Sequence, residues 1–204
     1  EPTLWRAYSM VSHPSENILE FLSVTVNDGL FSPRLASLKP GDALWIEKAP
    51  FGFLTLARFS PAKTLWLVAT GTGLSAYLPM LKDPNIWQQF EKVVLVHGVR
   101  QAQELTYKAD IEAIACNNQG LIYLPIFSQA RWSDDHYPAS RITTAYENGQ
   151  LELAAGQALN PEDSRIMLCG NPAMVSAMRA MLQEKGFAAG RRGNLGTLAV
   201  ENYW

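Results

Sequence analysis

Two clusters at opposite ends of this 204-residue sequence carry residue types suited to holding a flat redox-active ring. Near the start stands Arg6-Ala7-Tyr8-Ser9, and the chain closes on Ala199-Val200-Glu201-Asn202-Tyr203-Trp204. Cys169-Gly170-Asn171-Pro172 lies between them. One terminal aromatic is an ordinary packing accident. Two of them, read with an Arg-x-Tyr-Ser and a Cys-Gly turn, point to a flat cofactor held by stacking, and a flavin is the natural candidate.

Three further positions face a ligand if the elements around them are what their patterns predict. Gly71-Thr72-Gly73, Gly98-Val99-Arg100 and Cys169-Gly170 each follow an apolar run directly. The runs at 64–69, 92–97, 120–126 and 165–169 read as buried strands, with helical stretches between them, one of these near 74–81. Apolar strands alternating with helices predict a parallel sheet covered on both faces. In such sheets ligands bind at the carboxyl ends of the strands. The Gly-x-Gly exposes N–H groups that suit a phosphate, and a tight turn without ligand explains it equally well. It is not a full dinucleotide fingerprint, because Ala76 stands where the third glycine falls.

The helix after Cys169-Gly170 is the best specified. Asn171 suits the N-cap and Pro172 the first turn; Met174, Ala177, Met178, Met181 and Leu182 recur at helical spacing, and Gly186 is placed to end it. Before about residue 56 the texture differs. Segments 5–11, 18–26 and 43–47 read as short strands separated by turns such as Asn27-Asp28-Gly29 and Pro40-Gly41-Asp42, which suits an antiparallel barrel or sandwich. A domain boundary is expected near 58–62, where Pro61 interrupts the pattern, giving one domain at 1–60 and another at 61–204.

Composition sets the outer limits. The chain is 48% hydrophobic and 18% charged with net charge −2, which suits a globular protein and offers no basic field for nucleic acid. No apolar run is long enough to cross a membrane as a helix, and the N-terminus has no signal-peptide pattern, so a cytoplasmic monomer is expected. Two cysteines, Cys116 and Cys169, and three dispersed histidines, His13, His97 and His136, make no metal-ligand spacing. A disulfide between the two cysteines is formally possible; two thiols are expected.

Taken together and in this order, Arg6-x-Tyr8-Ser9, Gly71-Thr72-Gly73, His97-Gly98-Val99-Arg100 with Glu104-Leu105-x-Tyr107, Cys169-Gly170-Asn171-Pro172 and Glu201-Asn202-Tyr203-Trp204 resemble bacterial ferredoxin/flavodoxin–NADP reductases over essentially the whole chain. The resemblance implies an antiparallel FAD-binding barrel, followed by a parallel-sheet NADP-binding domain whose tail returns to the flavin. It implies an oxidoreductase that moves electrons between NADPH and ferredoxin or flavodoxin through FAD. The family has further barrel strands before its Arg-x-Tyr-Ser, and only five residues precede Arg6 here, so an incomplete barrel is expected. An electron-transfer subunit of a larger oxidoreductase and a non-catalytic nucleotide-binding fragment are the alternative readings.

The same resemblance assigns roles. Tyr8 and Tyr203 would stack on the two faces of the isoalloxazine, Trp204 would cover the adenine, and Arg6 would pair with the FAD pyrophosphate. Ser9 would hydrogen-bond near the hydride-accepting nitrogen, with Ala7, Leu22, Val24, Leu30, Phe31, Ser32 and Thr72 completing the FAD contacts. Arg100 and Arg141 would take the 2'-phosphate of NADP(H), beside Val99, Ser128, Gln129, Gly170 and Asn171. Cys169 and Glu201 would flank the nicotinamide once Tyr203 moves aside, and Arg34, Arg191 and Arg192 would meet an acidic carrier. Two departures stand out. The family's Ser-Arg pair is Ser128-Gln129 here, with Arg131 two residues on, and Ala76 replaces a proline after the Gly-Thr-Gly turn.

Overall fold

The computed structural model describes residues 4–129, 139–190 and 194–202. Five parallel strands make its centre: β1 (Thr64–Thr70), β2 (Lys92–Val99), β3 (Leu121–Phe127), β4 (Ser164–Gly170) and β5 (Leu198–Asn202), in the order β3-β2-β1-β4-β5. Residues 64–69 of β1 and all of β4 are buried, as expected of strands covered on both faces. Leu65, Leu67 and Ala69 face one apolar cluster and Trp66 and Val68 the other, the two-residue period of a strand.

The helices divide between those two faces. Helices α2 (Leu78–Lys82), α3 (Pro84–Gln89) and α4 (Lys108–Asn117) pack Leu78, Ile86 and Ile111 into the first cluster. Helices α5 (Ile142–Glu147), α6 (Gln150–Ala155) and α7 (Pro172–Glu184) pack Ala145, Leu151 and Met178 into the second. A short α1 (Ser32–Ala36) lies in the N-terminal region. The helix predicted near 74–81 is instead a 3-10 turn, Gly71–Ala76, followed by α2. Pro79 explains the break, since it has no N–H for the carbonyl four residues back.

Helix α7 has the predicted ends. Asn171 Oδ1 accepts the N–H of Ala173 at 2.9 Å and that of Met174 at 3.3 Å. At the other end Phe187 N–H reaches the Leu182 carbonyl and Gly186 N–H the Gln183 carbonyl, both at 3.0 Å, with Gly186 at φ 94°. That pairing is a Schellman ending, in which the left-handed residue costs glycine nothing. The buried stripe is Met174, Val175, Met178 and Leu182; Ala177, expected inside, is exposed.

The N-terminal region corrects the strand reading. Segments 5–11, 18–26 and 43–47 form no ladder among the described residues, and Met10 and Phe21 meet only as an isolated antiparallel bridge. Alternating residues favour extended backbone, but a ladder also needs a second edge in register. Large apolar side chains are exposed throughout this region, among them Ile18, Val24, Leu30, Trp45, Phe51 and Phe53. Polar pins hold the region to the sheet. Tyr107 OH donates to Glu20 Oε1 at 2.5 Å, and Lys82 Nζ donates to Glu16 at 2.8 Å. Arg165, 5% exposed at the start of β4, donates to the Ser60 and Pro61 carbonyls and to Ser60 Oγ, which fixes the chain just before β1.

Candidate active site

The strand order reverses between β1 and β4, because β1 continues into elements on one face of the sheet and β4 into α7 on the other. The connections that leave their carboxyl ends therefore part to opposite faces, and in such sheets the ligand crevice lies outside that point. Two glycines set its walls. A Cβ on Gly73 would stand 2.6 Å from the Cys169 carbonyl oxygen. A Cβ on Gly170, at φ 125°, would stand 2.3 Å from Thr70 Oγ1 and 2.7 Å from the Thr70 carbonyl oxygen. Thr70 Oγ1 also accepts the Asn171 N–H at 2.8 Å, so a side chain at the end of β1 holds the backbone after β4. Asn171, expected to contact the cofactor, has its Oδ1 committed to capping α7. Thr72 is half-buried beside this junction.

Register brings together two residues that are 32 positions apart. Cys169 pairs with Ala69 on β1 and with Glu201 on β5. Registered partners share a face, and here it is the face carrying the N-terminal region. Cys169 is fully buried, while Glu201 is half-buried and its Oε1 accepts the Phe53 N–H at 3.1 Å. Strand β5 itself has no distinct signal in the sequence. Tyr203 and Trp204 follow it and lie outside the described residues, as do Arg131, His136, Arg191 and Arg192.

The residues assigned to the 2'-phosphate gather at the other half of the same edge. Val99 is buried and ends β2, and Arg100 follows it in the open. Ser128 N–H reaches the Val99 carbonyl at 2.9 Å and Gln129 N–H the Arg100 carbonyl at 3.0 Å. Arg141 is exposed and precedes Ile142, whose Cδ1 would stand 2.7 Å from a Cβ on Gly98. The entry to α5 thus abuts the end of β2. Arg100 and Glu104 form a close ion pair, which raises the guanidinium pKa and lowers that of the carboxyl.

The N-terminal cluster also assembles. Tyr8 OH lies 3.0 Å from Ser23 Oγ, and its ring is 6.0 Å from that of Phe31, tilted by 36°. Ser32 Oγ accepts the Val26 N–H at 2.9 Å. Tyr8 is thereby seated between the segment of Leu22 and Val24 and that of Leu30 and Phe31, with Val24 and Leu30 exposed and Ser9 half-buried. Arg6 and Ala7 are exposed, and among the described residues the Arg6 guanidinium donates to the Trp5 carbonyl, at 2.7 Å. An open apolar surface beside an aromatic ring, with a guanidinium close in sequence, fits a flavin and its pyrophosphate.

His97 enters the sequence pattern only as part of a motif, yet it is wholly buried on β2 and pairs with Ala69 in the sheet. Its Nδ1 is 3.4 Å from the Tyr123 hydroxyl, and Nε2 has no hydrogen-bond partner among the described residues. Burial pushes its pKa down to about 4, opposed in part by the Gly71 backbone. Burial and then Glu20 push the Tyr107 hydroxyl up to about 12, so their bond is a neutral phenol donating to Glu20.

Residues 67–180 match the family model of the oxidoreductase NAD-binding domain. A ferredoxin–NADP reductase of Sorangium cellulosum is 35% identical over 97% of this chain and 73% of its own length. The chain belongs to the ferredoxin/flavodoxin–NADP reductase family. A flavodoxin/ferredoxin–NADP reductase of Buchnera aphidicola from Schizaphis graminum is 37% identical over 98% of the chain and 77% of its own length. The ferredoxin NADP+ reductase of Neisseria gonorrhoeae, solved with bound FAD and NADP, superposes with a TM-score of 0.92 at 32% identity, covering 98% of this chain and 80% of that one. The five-stranded sheet is the family's nucleotide-binding domain.

Proposed function

We propose that this chain is a flavoenzyme reductase that carries electrons between NADPH and ferredoxin or flavodoxin. Residues 1–60 belong to an FAD-binding barrel domain that is only partly present here, and 61–204 to an NADP-binding domain. The exposed apolar side chains of the first region support the partial barrel. The observation that carries the functional reading is the row Ala69, Cys169, Glu201, which lies beside the Gly73–Gly170 junction on the face carrying the N-terminal region, where Glu201 meets Phe53.

Bound FAD supplies the conversion between a hydride and single electrons, which no side chain performs. The chain's own groups do the holding. Tyr8 and the exposed Val24 and Leu30 offer the flavin a surface, Arg6 its phosphate partner, and Ser9 a hydroxyl. Cys169 gives the nicotinamide a soft, dry contact, and Glu201, fixed by Phe53, orients it and holds a proton-accepting oxygen there. Arg34 is exposed for an acidic carrier. The test is to purify the protein, record its visible spectrum and assay NADPH-dependent dye reduction. Flavin absorbance, with FAD released on denaturation, is expected; no flavin and no turnover would reject the reading.

Two variants probe the assignments. Arg141→Ala should weaken NADPH use roughly tenfold to a hundredfold and leave NADH use nearly intact, since a charge-assisted hydrogen bond is worth about 1.5–3 kcal/mol. Equal losses with both coenzymes would make Arg141 structural. Cys169→Ala should slow flavin reduction in stopped-flow far more than it lowers flavin content, and an unchanged rate would leave Cys169 as packing.

A further inference from the structure

The proposed reading gives Arg100 to the 2'-phosphate but leaves open what aims it. Arg100 is 69% exposed at its side chain, so no packing fixes its rotamer. Glu104 does. Its Oε2 accepts the Arg100 N–H at 2.9 Å, while its Oε1 accepts Arg100 Nε at 2.8 Å and lies 2.6 Å from NH2. Glu104 is itself held in the 3-10 turn Ala102–Glu104, closed by its own N–H on the Gln101 carbonyl at 3.0 Å. The Arg100 carbonyl is taken by Gln129, so the residue is secured on both sides of its Cα. Only the Nε–NH2 edge of the guanidinium is used by Glu104. Among the described residues NH1 makes no hydrogen bond, and Arg100 directly follows β2.

We propose that Glu104 is a positioning residue that presents Arg100 to the 2'-phosphate and so helps set coenzyme choice; this rests on the reading of Arg100 above. Two effects compete. A carboxylate beside a phosphate repels it, which across roughly 7 Å of screened water is worth about twofold in binding. Holding a long guanidinium chain in one orientation is worth about tenfold. Orientation therefore wins at physiological salt.

The experiment titrates 2',5'-ADP and 5'-AMP into the protein and its variants, which needs no flavin turnover. Glu104→Ala should weaken 2',5'-ADP about tenfold and change 5'-AMP less than twofold. Glu104→Gln has one acceptor oxygen in place of two and cannot take both the Arg100 N–H and its guanidinium, so its 2',5'-ADP affinity should fall between those of the parent and Glu104→Ala, with 5'-AMP unchanged. Arg100→Ala should lose 2',5'-ADP selectively, at least as severely as Glu104→Ala. Tighter 2',5'-ADP binding by Glu104→Ala would show the carboxylate to be a competitor and overturn the proposal, and equal losses of both ligands, or no change, would overturn it as well. If Arg100→Ala keeps its 2',5'-ADP affinity, the phosphate assignment itself falls. If Arg100→Ala loses that affinity while Glu104→Ala does not, only the role of Glu104 falls.

Discussion

Gly170→Ala is expected to lower the melting temperature by about 12 °C and to abolish nucleotide binding in whatever folded protein remains. The added Cβ would meet Thr70 Oγ1 at 2.3 Å, the Thr70 carbonyl oxygen at 2.7 Å and its nitrogen at 2.9 Å. Two of these are backbone atoms of β1, so no side-chain rotation relieves them. Residue 170 also holds φ 125°, which an L side chain rarely adopts. Backbone strain of about 1–3 kcal/mol and overpacking of about 1–3 kcal/mol combine to roughly 4 kcal/mol, at about 2–4 °C for each in a chain of this size. Gly149→Ala is the control. Gly149 sits at φ 75° and an added methyl there would have nothing within 4 Å, so strain alone acts, and a fall of about 3–5 °C is expected. Circular dichroism melts of both variants decide the matter. Equal falls would mean that the Thr70 contact carries no energy.

Acid should destabilise the protein through His97 by about 3 kcal/mol between pH 6.5 and pH 4. Its native pKa is pushed down to about 4 by burial, against 6.5 in the unfolded chain. Above pH 6.5 both states carry a neutral ring and the group is silent. As pH falls below 6.5 the unfolded chain takes up a proton that the native protein refuses, and stability is lost until about pH 4, where both states are protonated. At pH 5 the loss is about 2 kcal/mol. Urea denaturation at pH 7.5 and 5.0 measures it, with His97→Met as the comparison. The variant should lose about 2 kcal/mol less than the parent over that interval. Equal losses would place the acid sensitivity in other groups.

The acid effect and the glycine contacts concern the same few ångströms of structure. His97 and Cys169 flank Ala69 on its two neighbouring strands, and Ala69 leads into the turn that Gly73 and Gly170 lock. Loosening that junction disturbs β2 and β4 at once, because β1 lies between them in the sheet.

Features encoded by near neighbours were legible in the sequence. Helix α7 could be read with both ends, since Asn171, Pro172 and Gly186 act within one turn of where they stand. The first four strands were legible because burial on both faces demands unbroken apolar runs. That logic also placed the three turns predicted to face a ligand at strand ends. The tertiary structure alone decided everything that depends on distant partners. A preference for extended backbone at 5–11, 18–26 and 43–47 was legible in the residue pattern, but a ladder was not, because its hydrogen bonds belong to another segment. Strand β5, the register that sets Cys169 beside Glu201, and the hold of Arg165 on Ser60 and Pro61 are likewise non-local. A side chain's type states what it can bond, and only the folded chain determines which atoms come within about 3 Å of it.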